Sequence, residues 1–329
     1  MTDIEGFQDI ELNEEARESI LNEHPIVMRN YTVLTPMIAS TYSLIRNRIW
    51  ARRTGSFLYA RPRMGKTWCA NAINRLLAEE FPNVYQIMLS ADQKHSSSNT
   101  GIVLDILESE RLGVKSRMNY KEALSKLITH IDTCLASKGG DQFVLIVDEM
   151  QMLVEADLNV LLVLHNRLQQ QQISMTTLGF AQPQILNLQS TLATTGAFNL
   201  IARFLAEPIP FDGCGTRNDL DVILQAYDEE KRHPENTDWT YTRFFLPQAY
   251  MAGFRLKSYS AIIWSNLEKA ADGLGTNTIP MEHLTSTVEY LLLANRRLDS
   301  ISFELSSVQV EDAVAASNLE HFAGLMGGG

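Results

Sequence analysis

The segment Ser56-Phe-Leu-Tyr59 followed by Ala60-Arg61-Pro62-Arg63-Met64-Gly65-Lys66-Thr67 constrains this chain more than any other stretch. A short apolar run, readable as a strand, enters a loop, and the loop opens a helical pattern of about 15 residues that closes near Phe81-Pro82. A phosphate-binding loop is written G-x-x-x-x-G-K-[S/T]. Here its first Gly is replaced by Ala60 and the other fixed positions are intact. The chemistry shows which positions can vary. Gly65 lets backbone N–H groups close around a β-phosphate, and Lys66 reaches the β- and γ-oxygens. Thr67 offers a hydroxyl to Mg²⁺ at the first turn of a helix whose dipole favours an anion. Position 60 needs only a small residue leaving the strand, so Ala serves if its φ is negative. A bare GKT also arises by chance; the strand before it and the amphipathic helix after it argue otherwise. Ala60 to Thr67, with Trp68, are therefore the expected nucleotide contacts.

Phe143-Val-Leu-Ile-Val-Asp148-Glu149 is the second half of the pattern. A continuous apolar run is the mark of a strand covered on both faces. Two adjacent carboxylates then fall at its C-terminal end, where α/β sheets bind ligands. Asp148 is expected to hold Mg²⁺, directly or through water, and Glu149 to polarise the attacking water as general base. Loop and carboxylate pair together point to ATP or GTP hydrolysis; neither does so alone. The next strand, Ile173 to Pro183, ends in Gln182, whose side chain is expected to reach the γ-phosphate or the lytic water. Thr177 is a second candidate, and a plain strand–loop junction is an equal reading. Arg203, in Phe198-Asn-Leu-Ile-Ala-Arg203-Phe204, stands among apolar neighbours just before a strand-like Glu207 to Phe211. It reads either as a surface salt-bridger or as an arginine finger entering an adjoining subunit's site.

Around these motifs, strands alternate with helices. Ile38, Tyr42, Ile45 and Ile49 recur at helical spacing, Val84–Leu89 reads as a strand, and 101–112, 119–137 and 155–171 read as helices. This predicts an α/β fold with a mostly parallel sheet flanked by helices. Beyond Phe211 the patterns at 216–230, 244–271 and 281–296 are helical. The expected organisation is an acidic leader (1–30), an α/β core (31–212), an all-helical lid (213–300) and a tail (301–329). No internal repeat or heptad pattern is visible.

Composition narrows the class further. The net charge of −11 excludes a chain that coats nucleic acid by global charge, so any such contact must be local. Charge is unevenly spread: from His24 to Ala78 there is no carboxylate, while Arg29, Arg46, Arg48, Arg52, Arg53, Arg61, Arg63, Lys66 and Arg75 all occur. That run is either a solvated face or the cationic neighbourhood of a polyanion. Three widely spaced cysteines, Cys69, Cys134 and Cys214, argue against a disulfide scaffold or structural zinc and suit a reducing cytoplasm. The acidic opening has no apolar core of a signal peptide, and no apolar run approaches the ~20 residues of a membrane span.

Taken together, ARPRMGKT, LIVDE, the strand end GFAQP, LIARF and the all-helical C-terminal segment resemble the AAA+ ATPases. Within them they are similar to the transposition regulators of the TnsC family, which serve CRISPR-associated transposons with a Cascade-type guide complex. The core motifs cover about residues 31–211 and the lid extends the likeness to about 300; Ala60 is the one departure from the loop pattern. The resemblance implies an AAA+ P-loop core with a helical lid, and ATP with Mg²⁺ sandwiched between subunits of a ring or filament. It implies that this assembly encircles double-stranded DNA without reading sequence. It further implies communication between TniQ with its guide complex and the TnsA/TnsB transposase. By position it puts Lys66 and Thr67 on phosphate and Mg²⁺, Asp148 and Glu149 as the carboxylate pair, and Gln182 at sensor 1. Arg203 becomes the finger, and Arg255, in Ala252-Gly-Phe-Arg-Leu256 at the start of a long lid helix, sits at a sensor-2-like position. In such rings the pore is lined after the second strand, which points to Lys94, His95, Ser96 and Asn99, with Lys115, Arg117 and Lys121 nearby. Backbone contacts by such residues bind DNA without sequence preference.

Two other classes stand beside this one. A small-molecule phosphotransferase would share the loop, but an adjacent Asp-Glu pair suits water activation better than transfer to a bound hydroxyl. An assembly scaffold that binds ATP and scarcely hydrolyses it would keep the loop and not need Glu149.

Overall fold

The computed structural model describes residues 14–92, 101–113 and 118–327. The chain divides into two compact units, Ile38–Phe211 and a second built from the residues up to Met37 together with those from Asp212 onward.

In the first unit, α1 (Pro36–Trp50) buries Ile38, Thr41, Ile45 and Ile49 along one stripe. It leads into β1 (Gly55–Tyr59), the loop, α2 (Lys66–Glu80) and β2 (Val84–Ser90). Next come α3 (Gly101–Ser109) and α4 (Tyr120–Lys138). A reciprocal Asn119–Glu122 capping box starts α4 and a left-handed Gly139 ends it. β3 (Gln142–Asp148), α5 (Glu155–Gln170), β4 (Ser174–Ala181), α6 (Ile185–Thr194) and β5 (Pro208–Pro210) complete the unit.

The five strands form one sheet in the order β2-β3-β4-β1-β5, every neighbouring pair parallel. β3 is buried at every residue, as its unbroken apolar run requires. β5 pairs only with β1 and carries two prolines, which an edge position tolerates because one side of the strand needs no ladder donors. The order sets the site. β4 lies between β1 and β3, so strands far apart in sequence finish side by side. Ala181 pairs with Tyr59, and Gly179 pairs with both Phe57 and Val147. Leu127, Leu161 and Leu164 of the helices share one buried core with Phe57, Phe143 and Leu145. Each such side chain contributes roughly 1.5–3 kcal/mol of burial.

The helical unit contains α7 (Arg217–Gln225), which continues as a π-turn over Ala226–Glu230, and α8 (Ser260–Ala270). It also contains α9 (Met281–Asn295), α10 (Ser307–Ala316) and α11 (Leu319–Gly327). The single helix expected over 244–271 is broken into Tyr241–Phe245, Pro247–Met251, the 3₁₀ turn Leu256–Tyr259 and α8. Pro247 has no N–H to continue a helix and restricts Leu246 before it, and Gly253 takes φ 103°.

Described residues near both ends of the chain join this unit too. Ile26 is buried, Arg17 donates to the Phe244 carbonyl at 2.9 Å, and the Tyr31 hydroxyl reaches Tyr227 at 2.6 Å and Glu289 at 2.9 Å. Val310, Leu319 and Phe322 are buried in the same core. The compact unit that holds the sheet runs from Ile38 to Phe211. The described residues of the expected leader and tail belong to the helical unit because their apolar stripes pack there.

Candidate functional site

The loop closes where the strand hands over to the helix. Ala60 continues the β1–β4 pairing, its N–H donating to the Ala181 carbonyl at 3.1 Å. Among the loop residues the left-handed positions are Arg63 (φ 67°) and Gly65 (φ 95°), so Ala60 keeps the conformation that any L residue tolerates. Gly65 caps α2, and its carbonyl accepts from Cys69 at 2.9 Å. Lys66 is only 6% exposed, and its ammonium donates to the carbonyls of Ala60 at 3.0 Å and Arg61 at 2.9 Å. The cation therefore sits inside the curl of its own loop. Burial lowers the Lys66 pKa, and the nearby Glu149 and Asp148 oppose that shift. Met64 is buried, Arg61 and Pro62 are half-buried, and Arg63, Thr67 and Trp68 are exposed.

Asp148 ends β3 and is 3% exposed. Burial raises its pKa, with Glu149 adding to the rise; the Thr67 hydroxyl, the Glu149 N–H at 3.0 Å and Lys66 act the other way. A buried carboxylate beside a hydroxyl is a hard-oxygen set that suits Mg²⁺, the remaining positions falling to water and phosphate oxygens. Among the described residues no cluster of three or more His, Cys, Asp and Glu could hold a metal without such help.

Glu149 takes a left-handed backbone (φ 54°, ψ 37°), unusual for a residue with a side chain. Its Oε2 accepts from the Gln182 side-chain amide at 3.2 Å and from the amide of Gln151. Gln182 follows β4, between the loop strand and the carboxylate strand. The competing Thr177 lies opposite Gly55, the first residue of β1, so it sits toward the wrong end of the sheet.

Arg203 lies elsewhere. It is carried on a π-helical turn, Ile201–Leu205, packed so closely on β1 that a Cβ at Gly55 would fall 2.2 Å from the Arg203 carbonyl oxygen. Five strand residues, roughly 16 Å, separate that end of β1 from the loop. Arg203 is thus not in the loop site of the same chain. Its Nη1 lies 3.0 Å from His165 Nδ1. His165, on the buried face of α5, has its pKa lowered to about 4 by burial and by Arg203, so the neutral ring accepts this hydrogen bond. Gln151, beside Glu149 and Gln182, and His165, beside Arg203, are contacts that the sequence did not reveal.

Arg255 does not open a long helix. It is extended, ahead of the 3₁₀ turn, with its guanidinium 3.6 Å over the Tyr250 ring and Nη1 on the carbonyls of Tyr250 and Phe254 at 2.9 and 2.6 Å. Of the expected DNA contacts, Lys94, His95, Ser96, Asn99 and Arg117, with Lys115, lie outside the described residues. Lys121 is exposed on the first turn of α4. Part of the carboxylate-free arginine run serves structure: Arg46 pairs with Glu80, Arg48 with Glu207 at 2.6 Å and Arg52 with Asp141 at 2.7 Å.

A parallel sheet in this strand order, with a lysine at the first strand-to-helix turn and an Asp-Glu pair at the end of a strand two places away, defines an AAA+ P-loop fold with a helical C-terminal region. Residues 51–188 are similar to the family model described as an AAA domain. The matched stretch holds the loop, Asp148, Glu149 and Gln182, and stops short of Arg203 and Arg255. Among solved structures, the Aeropyrum pernix ORC2 protein in its ADPNP–ADP complexes is similar with a TM-score of 0.57 and 14% identity, over 89% of this chain and 71% of that one. The ADP form of the same protein gives 0.56 and 15%, over 88% and 72%. At such identities the likeness is one of fold. None of the curated proteins matches the chain. No helix among the described residues is long and apolar enough to cross a membrane.

Proposed function

We propose that this chain binds ATP in the loop 60–67 and hydrolyses it to ADP and phosphate. The observation that carries the reading is the convergence of Lys66, Thr67, Asp148, Glu149 and Gln182 where the adjacent strands β1, β4 and β3 end. In this reading the triphosphate takes over Lys66 from the Ala60 and Arg61 carbonyls, and the backbone of Ala60 to Thr67, with Trp68, contacts the nucleotide. Thr67 and Asp148 would hold Mg²⁺, which when bound would supply positive charge against the triphosphate. Glu149 accepts a proton from the water whose oxygen attacks the γ-phosphorus; the bond to the bridging oxygen breaks and ADP leaves. Gln182 orients that water. Arg203, too far from its own loop, acts on the γ-phosphate of an adjoining subunit. The adenine nucleotides named for the Aeropyrum pernix ORC2 protein, which shares the fold, support ATP as the substrate.

The wider role we propose is regulation of DNA transposition from the cytoplasm. The chain assembles on itself around double-stranded DNA and links TniQ with its Cascade-type guide complex to the TnsA/TnsB transposase. Support comes from the order of ARPRMGKT, LIVDE, GFAQP and LIARF ahead of a helical region. Lys94, His95, Ser96, Asn99, Arg117 and Lys121 are the proposed DNA-backbone contacts. Release of ADP without any phosphate acceptor, measured with and without duplex DNA, tests hydrolysis. Turnover that requires an acceptor hydroxyl would instead make the chain a phosphotransferase.

A further inference from the structure

We propose that Gln151 is a positioning residue that ties the base Glu149 to the end of β4; the inference rests on the hydrolysis reading above. Both ends of its amide are in use. Gln151 Oε1 accepts from the Gln182 backbone N–H at 2.8 Å, and Gln151 Nε2 donates to Glu149 Oε2. The Gln182 side chain donates to that same oxygen at 3.2 Å, which closes a ring of three residues. The backbone makes the ring possible. Glu149 stands in a left-handed conformation, and its carbonyl accepts from Met152 at 2.8 Å, closing the 3₁₀ turn Met150–Met152 that swings Gln151 back over it. A left-handed glutamate persists only where its surroundings hold it. Here the holding is visible on the other side of the turn as well. Met150 is fully buried on Gly179 of β4, so closely that a Cβ there would lie 2.1 Å from its sulfur.

The consequence concerns one atom. With both amides converging on Oε2, that oxygen is fixed and Oε1 is the one assigned to the proton of the attacking water. A carboxylate acting as base loses rate quickly when its aim is lost. Gln151 touches neither nucleotide nor water in this assignment; it acts through Glu149 and Gln182.

The test measures kcat and KM for ATP on the full chain with duplex DNA present, alongside ATP-binding stoichiometry. The variants are Gln151→Met, Gln182→Ala and the pair combined, with Glu149→Gln as a control. Methionine keeps the length and loses both hydrogen bonds. The expected result is a kcat reduced about 10- to 100-fold, the usual cost of losing an outer-shell partner. KM and stoichiometry should stay near the parent's, and the double variant should be little worse than the poorer single one, because the two amides work as a unit. Parent-like kcat in Gln151→Met, a loss appearing only in binding stoichiometry, or effects that multiply independently would overturn the positioning role while leaving hydrolysis intact. A parent that releases no ADP, or a Glu149→Gln variant that turns over normally, would remove the reading itself and this inference with it.

Discussion

At the scale of single residues, the site divides by how each side chain is reached. Lys66, Thr67, Asp148 and Glu149 were legible because they sit at fixed offsets from strand ends. Gln182 was legible for the same reason, though only the register against β1 separates it from Thr177. Gln151 and His165 were not, because Gln182 and Arg203, which they meet across the fold, lie 31 and 38 residues away. Arg203 gives the residue-scale prediction. Its hydrogen bond to His165 holds it at the end of β1 opposite the loop, so any catalytic role must be in trans. Arg203→Ala should bind ATP as the parent does and lose turnover by about 10³-fold or more. Mixing it with Glu149→Gln subunits, which keep the proposed finger and lack the proposed base, should restore a measurable part. Parent-like turnover of Arg203→Ala alone, or a mixture as inactive as its components, would count against the trans finger.

Among elements, alternating strands and helices with the continuous apolar run of β3 made the α/β unit readable. The close approach of the Glu149–Gln151 turn to β4 was not readable, because a glycine in a strand does not announce what crosses it. Gly179 leaves room for Met150, and an added Cβ would meet both its sulfur and, at 3.0 Å, the Phe57 Cβ. Gly179→Ala should therefore lower the urea midpoint by the equivalent of about 1–3 kcal/mol, the usual cost of overpacking. It should lower kcat as well, by displacing the turn that carries Glu149, the proposed base. An unchanged midpoint and kcat would show that Met150 yields freely. On the helical side, 216–230 and 281–296 were nearly right, whereas Pro247 and Gly253 divide a pattern whose periodicity alone suggested one helix.

For the whole molecule, the division between Phe211 and Asp212 coincides with the change from alternating to purely helical pattern. The fate of the termini was hidden, since an amphipathic stripe does not say which unit it covers. One such stripe brings in a pH dependence. His24 is fully buried among His233, Tyr241, Phe244 and Phe245, and its Nδ1 accepts from the Ile26 N–H at 3.1 Å. Burial, then His233, lowers its pKa to about 3. Between pH ~6.5 and about 3 the unfolded chain binds a proton that folded His24 refuses, so this stability is complete above pH 6.5 and lost as pH falls toward 3. His165 acts in the same direction in the α/β unit, between pH ~6.5 and about 4. The urea midpoint should be lower at pH 4.5 than at pH 7, and His24→Gln should narrow the gap. An equal or wider gap in the variant would assign the acid sensitivity elsewhere.

The most direct measurement is a single-turnover assay of Glu149→Gln against the parent, with Mg²⁺, ATP and duplex DNA. The parent should release ADP and phosphate with no acceptor present, while Glu149→Gln should hold ATP unhydrolysed and stay assembled on the DNA. Hydrolysis by Glu149→Gln at the parent's rate, or failure of the parent to bind ATP at all, would contradict the account.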